Sequence, residues 1–194
     1  KQQIIRVLHS LSFTDDPTRM LRAIRFEKRF NFTIEKNTMH QLLDSSTLLK
    51  RVSGRRILNE LDLFFHEENP AVGLSRLEDL KLLQQIHPSI RWLGQDTMDL
   101  DKLMHAEVPK YWLDEIPSLP VFLKTDARYL IWWGKNNLEN LREISKRLQL
   151  SQKDFNLLKS YSEICQKMPG LMSAWPSELT FFLEKQKLEA IYCY

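Results

Sequence analysis

Glycine is scarce in the 194-residue chain, with 5 residues, and proline is modest, with 8. Collagen-like repeats and Gly/Pro-rich disorder are excluded by those counts. The two cysteines, Cys165 and Cys193, lie far apart with no CxxC pair, which excludes a disulfide scaffold and a cysteine-rich zinc site. No apolar run approaches the ~20 residues of a membrane span. Lys1-Gln-Gln has no hydrophobic stretch behind it of the kind that marks a secretory leader. The expected setting is a reducing cytoplasm with no membrane partner. His9, His40, His66, His87 and His105 show no paired metal-ligand spacing, and no Ser/His/Asp or Cys/His arrangement stands out. Neither a catalytic residue nor a metal site is expected within this stretch.

What is present is ordinary in amount: 27% charged and 43% apolar residues, in a chain long enough for one domain or two small ones. Leu, Lys, Glu and Gln favour helix, and no stretch alternates with the period of a sheet. Helices are expected near 17–30, 35–44, 53–67, 70–85, 98–106, 121–133, 136–149, 151–166 and 176–190. Asp16-Pro17 and Asn69-Pro70 read as a cap followed by proline at the first helical position. Ser53, Ser151 and Ser177 are candidate caps. Pro109, Pro117 and Pro120 mark 107–120 as a linker or irregular loop. Only Ile4 to Leu8 suggests a strand end.

The net charge of +3 resolves into +6 over residues 1–60, −5 over 61–134 and +2 over 135–194. A basic first third fits either an anionic partner or a solvated basic face. Within it, Arg19, Arg22, Arg25 and Arg29 are spaced 3, 3 and 4 apart and fall on one stripe of a helix. Met20, Leu21, Ala23, Ile24 and Phe30 are expected opposite. Four arginines in a line repel one another unless carboxylates or phosphates lie against them.

Asp16 and Arg19 form an Asp-x-x-Arg pair. One reading is a helix cap and a surface arginine. The other rests on complementarity: a carboxylate only accepts and a guanidinium only donates. Side by side they match an amino group next to an unprotonated ring nitrogen, as in cytosine and adenine, and clash with guanine and uracil.

The run Arg6-Val-Leu-His-Ser-Leu-Ser-Phe-Thr-Asp-Asp-Pro-Thr-Arg-Met-Leu-Arg-Ala-Ile-Arg-Phe26 resembles the head–neck junction of bacterial class II tRNA nucleotidyltransferases and poly(A) polymerases. The family motif, an acidic pair, two spacers and Arg followed by Leu-Arg-Ala-x-Arg-Phe, is met by Asp15-Asp16-Pro17-Thr18-Arg19 and Leu21-Arg22-Ala23-Ile24-Arg25-Phe26. Relatives often carry Glu where Asp15 stands. Val52 to Leu61 resembles the next neck helix, with Arg56 and Glu60 at matching positions, although an i,i+4 salt bridge explains those two equally well. Leu80 to Pro88 fits the ending of the same region, so the likeness covers roughly residues 4–90.

The resemblance implies an all-α array of neck, body and tail helices lacking the α/β nucleotidyltransferase head. Its divisions would be 1–16 for the end of the head, 17–90 for the neck and 91–194 for body and tail. Asp16 and Arg19 would bind the base of ATP or CTP, with Arg22 and Arg25 beside them and Asp15, Arg56 and Glu60 in support. Body and tail would bind a tRNA or other RNA 3′ end, with Lys135, Lys146, Arg147, Lys153 and Lys159 as candidate phosphate contacts. The activity implied is A- or CCA-addition, or poly(A) synthesis, with Mg2+ bound by the head. This stretch alone is expected to be inactive. The other class is a non-catalytic helical RNA-binding or scaffold module. Asp99-Leu100-Asp101 lacks the Gly-Ser loop of the family's metal motif and sits where a helix is expected, so it reads as a decoy. Trp92, Trp112, Trp132, Trp133, Trp175, Phe64-Phe65 and Phe181-Phe182 read as core, and both cysteines as inert thiols.

Overall fold

The computed structural model describes residues 3–194 and is helical throughout apart from one pair of two-residue strands. The chain divides into two compact units. One runs to Leu93 and includes Arg147–Gln149; the other comprises Gly94–Lys146 and Leu150–Tyr194. Among the described residues, no helix is long and apolar enough to cross a membrane.

The first unit begins with β1 (Ile4–Ile5), which pairs in parallel with β2 (Thr33–Ile34). The expected strand end is therefore present but stops at Ile5. Helix α1 (Ser12–Asp15) leads into α2 (Thr18–Arg29). Asp16 caps α2 as expected, its Oδ1 accepting from the Thr18 amide at 3.1 Å, with Pro17 already helical. Met20, Leu21, Ala23 and Ile24 form the buried face of α2. Phe30 does not join them; it ends the helix half exposed.

Helix α3 (Lys36–Ser45) runs into a 3-10 segment (Ser46–Arg51), followed by α4 (Gly54–Phe65). The single helix expected over 70–85 is two, α5 (Pro70–Asp79) and α6 (Leu82–Ile86). The break falls at Lys81, whose φ of 56° is left-handed. That conformation costs a non-glycine residue about 1 kcal/mol, which full burial of Leu82 and Leu83 offsets. Helix α2 packs on α4 and α5.

A second tie in this unit comes from late in the chain. Arg147 donates to the carbonyls of Ile86, Val52 and Leu49 at 3.0, 3.0 and 2.9 Å. Gly54 makes room for this segment: a Cβ there would lie 2.3 Å from the Arg147 carbonyl oxygen.

The second unit contains α7 (Gly94–Met104), α8 (Lys110–Glu115), α9 (Leu119–Lys124), α10 (Asp126–Trp133), α11 (Leu138–Leu148, whose last two residues belong to the first unit), α12 (Gln152–Leu171), α13 (Pro176–Leu183) and α14 (Leu188–Cys193). The loop expected over 107–120 is instead two short helical turns. Two of its three prolines stand at helix starts: Pro109 precedes α8 and Pro120 sits in the first turn of α9, where a missing N–H costs nothing, while Pro117 lies in the turn between them. Ser151 forms a full capping box with Asp154; Ser53 precedes α4 without a side-chain bond, and Ser177 lies inside α13.

The core of this unit gathers on α10, where Trp132 and Trp133 are buried, against Leu158, Tyr161 and Ile164 of α12 and Ala190 of α14. Trp92, Phe64 and Phe65 are core residues of the first unit, as expected. Trp112 is half-buried, edge-on to Tyr192. Trp175 and Phe181 are not core: they are 76% and 62% exposed, the first just before α13 and the second on it, a helix that buries none of its residues. Lysine cations cover its phenyl rings instead, Lys185 at 3.6 Å over Phe181 and Lys167 at 5.5 Å over Phe182.

Arg147→Met would strip three carbonyls of a charged donor and should destabilise the protein by about 3 kcal/mol. The neighbouring Lys146→Met should stay within about 0.5 kcal/mol. Urea unfolding of both variants compares them.

Candidate functional site

The arginine stripe of α2 meets carboxylates from its own unit. Asp16 stands at the head of the helix, its side chain one-fifth exposed. Its Oδ1 accepts from the Thr18 amide (3.1 Å), the Thr18 hydroxyl (2.7 Å) and Arg56 Nη2 (2.8 Å). Its Oδ2 accepts from Arg22 Nη2 at 2.8 Å. Burial alone would lift the Asp16 carboxyl. The two bonds from Thr18 and the charges of Arg56 and Arg22 outweigh it and hold the group below its usual range.

Arg22 is shared. Its Nε lies 3.1 Å from Glu60 Oε1 of α4, while its Nη2 also donates to Thr18. Glu60 is largely buried and its Oε2 accepts no hydrogen bond. Burial pushes its carboxyl up, and the arginines around it only partly offset that. The i,i+4 bridge considered for Arg56 and Glu60 is thus replaced by two contacts across to the α2 segment: Arg56 holds Asp16 and Glu60 holds Arg22.

Further along the stripe, Arg25 is buried and binds Glu67 Oε1 at 2.8 Å. Arg29 reaches the same oxygen at 3.7 Å and lies over the ring of Phe30. Of the four arginines, Arg19 alone has no carboxylate partner among the described residues. It is exposed, with one long contact of 3.5 Å to the Ser12 carbonyl. Asp15 is exposed as well, 3.9 Å from His9 Nε2. The structure therefore brings Asp16, Arg22, Arg56 and Glu60 into one network and leaves Arg19 unengaged one turn beyond Asp16.

Thr18 and Glu67 were not legible as members of this arrangement. Thr18 follows an Asp-Pro cap, a signal that could have marked it. Glu67 is 42 residues from Arg25, and only folding joins them.

Two of the candidate phosphate contacts are already occupied. Arg147 spends its guanidinium on the three carbonyls described above. Lys135 pairs with Asp99 and, at 3.7 Å, with Asp96. Lys159 lies 3.8 Å from Glu163 on the same helix, whereas Lys146 and Lys153 are exposed. Asp99 and Asp101 stand on α7, the first held by Lys135 and Gln95, the second exposed and 3.3 Å from His105. No group of three His, Cys, Asp or Glu among the described residues could hold a metal ion; the Mg2+ that the resemblance implies is assigned to the head, not to these residues. In the second unit Cys165 and Cys193 line a cavity of about 510 Å³ with Tyr161. Burial pushes both thiols up, Cys193 to about 12.

A helical fold with a carboxylate-buttressed arginine helix sets the class, an α-helical protein with one polar network at the start of α2. Comparisons with known proteins make the class specific. Residues 31–93 match a family described as "Probable RNA and SrmB- binding site of polymerase A". The A-adding tRNA nucleotidyltransferase of Halalkalibacterium halodurans is 33% identical over 156 residues, which is 75% of this chain and 36% of that protein. That of Geobacter sulfurreducens is 44% identical over 92 residues, 46% of this chain and 10% of that protein. A CCA-adding enzyme in complex with ATP superposes with a TM-score of 0.73 at 26% identity, covering 99% of this chain and 46% of that one. The Thermotoga maritima CCA-adding enzyme complexed with tRNA_CCA gives 0.70 at 26% identity, with the same coverage. The chain belongs to the tRNA nucleotidyltransferase and poly(A) polymerase family. It spans between 10% and 36% of the length of these two curated relatives.

Two measurements follow from the electrostatics. Asp16 ionises more readily folded than unfolded, so it contributes stability that is present above the unfolded value of about 3.9 and is lost as the pH falls through the folded one. Asp16→Asn should therefore make the fall in stability below about pH 4 shallower, seen in urea melts across pH. A thiol held near 12 is almost wholly protonated at pH 8. Iodoacetamide should label Cys193 there about a hundredfold more slowly than free cysteine, or slower still.

Proposed function

We propose that this chain is the neck, body and tail region of a template-independent tRNA 3′-end nucleotidyltransferase acting in the cytoplasm. Residues 17–90 form the neck and 91–194 the body and tail. The neck selects the incoming ATP or CTP, and the body and tail hold the tRNA. Metal-dependent transfer belongs to residues outside this chain, and no step of it is drawn through the residues here.

One observation carries the base-selecting role: an ionised carboxylate, Asp16, buttressed by Thr18, Arg22 and Arg56, beside an arginine with no carboxylate partner, Arg19. Three bonds fill Oδ1, while Oδ2 accepts one and keeps room for another. An exocyclic amine of adenine or cytosine donates to Oδ2, and the Arg19 guanidinium donates to the adjacent ring nitrogen. Guanine and uracil offer a carbonyl to the carboxylate and an N–H to the guanidinium, and both contacts are repulsive. Arg22, Arg56 and Glu60 position the carboxylate.

The A-adding type is favoured over CCA-addition and poly(A) synthesis by the A-adding relatives at 44% and 33% identity. Addition of nucleotides to tRNAs lacking CCA, ending in C or ending in CC separates the three: A-addition acts only on the last, and growth on the first excludes it.

In the enzyme carrying this segment, Asp16→Ala or Arg19→Ala should reduce the preference for ATP and CTP over GTP and UTP by about tenfold or more. Wild-type selectivity in either variant, measured with competing labelled nucleotides, would remove the base-selecting assignment.

A further inference from the structure

The far end of the arginine stripe faces a cavity of about 790 Å³, bounded by the last turn of α2, the segment after α4 and the first turn of α5. Its charged lining comprises three cations, Arg25, Lys28 and Arg29, against two carboxylates, Glu67 and Glu68. Lys28 and Arg29 are exposed. Arg25 is more than nine-tenths buried, and its Nε makes no hydrogen bond although its Nη1 holds Glu67.

Helix α5 adds positive potential. Its ten residues begin at Pro70, and Asn69 before it makes no side-chain cap bond, so the first-turn N–H of Val72, which lines the cavity, is left for an external acceptor. Asn69, Pro70, Val72 and Gly73 line the cavity. Gly73 allows the close seating of this turn, since a Cβ there would lie 2.7 Å from the Phe64 ring. Cations and a helix N-terminus together favour an anion such as a phosphate over an apolar ligand. The remaining wall is aromatic: Phe30 is 49% exposed and joins a row with Phe26 and Phe32 at centroid spacings of 5.7 and 5.6 Å. Basic groups interleaved with an exposed ring suit a base as well as its phosphate.

We propose that this cavity is a nucleotide-phosphate site, with the phosphate held by Lys28, Arg29 and the first-turn amide of Val72 and the base against Phe30. Along α2 it lies about 15 Å from Arg19, at 1.5 Å per residue, so it is distinct from the base-selecting pair. Glu67 tethers Arg25 and Arg29 while the site is free, and the phosphate takes over part of their charge.

The test is a titration of the 15N-labelled protein with a single-stranded hexaadenylate RNA, followed through amide resonances. The signals of Ala71, Val72 and Gly73 should move and saturate. Lys28→Gln/Arg29→Gln should raise the Kd about tenfold or more, whereas Lys36→Gln/Lys50→Gln, an equal charge loss at exposed positions elsewhere in the unit, should change it by about twofold or less. Phe30→Leu should weaken the hexamer about fivefold. A parallel titration with ATP separates the sources: tighter hexamer assigns the site to RNA, tighter ATP to a free nucleotide, and either upholds it. Unmoved amides at 71–73, or equal losses from the two double variants, overturn the proposal. The amides at 71–73 report on this cavity and nucleotide selectivity reports on Asp16 and Arg19, so this site and the base-selecting pair fail independently.

Discussion

Four like charges on one helix are stable only if the fold brings opposite charge to them. In α2 that requirement is met for Arg22, Arg25 and Arg29, and from three directions. Asp16 comes from the helix's own start, Glu60 from α4, and Glu67 from the segment beyond α4. Arg25 shows how strict the constraint is. It is 8% exposed, and a buried guanidinium without its carboxylate costs about 3–5 kcal/mol. Packing of the apolar face of α2 and neutralisation of its arginine face are therefore one event: the contact that buries Leu21 and Ile24 also delivers Glu60 and Glu67.

That arrangement gives Arg19 its meaning. Where neighbouring arginines are consumed internally, an arginine left exposed beside an ionised, well-buttressed carboxylate offers donor and acceptor together. Glu60 illustrates the opposite state, a carboxyl whose burial disfavours its charge and whose second oxygen has no bond. Its contribution is to fix Arg22, and through Arg22 to fix Asp16. Arg147 plays a comparable organising part for the backbone, binding carbonyls at the ends of the 3-10 segment and of α6 and just before α4.

Much of this was readable along the chain. The 3-3-4 arginine spacing, the Asp-Pro cap and the apolar face of α2 are local features, and local geometry decided them. The all-helical class followed from composition and periodicity. Other expectations failed for identifiable reasons. The helix over 70–85 breaks at Lys81 because burying Leu82 and Leu83 outweighs one left-handed residue. Pro109 and Pro120 stand at helix starts because proline suits that position. Phe181 carries no mark that distinguishes a ring covered by a lysine from one covered by a core, and Trp175 none that marks it as exposed. Arg147 and Lys135 look like any basic surface residue until the carbonyls and carboxylates around them are placed.

By itself the sequence determined which residues share the stripe, where α2 starts and which motif it carries, since these depend on neighbours within one or two helical turns. Only the tertiary structure decided which arginines are spent and which one is left. The partners that spend them lie 38 to 42 residues away, Glu60 for Arg22 and Glu67 for Arg25. No local periodicity encodes a pairing that depends on how α2 and α4 dock.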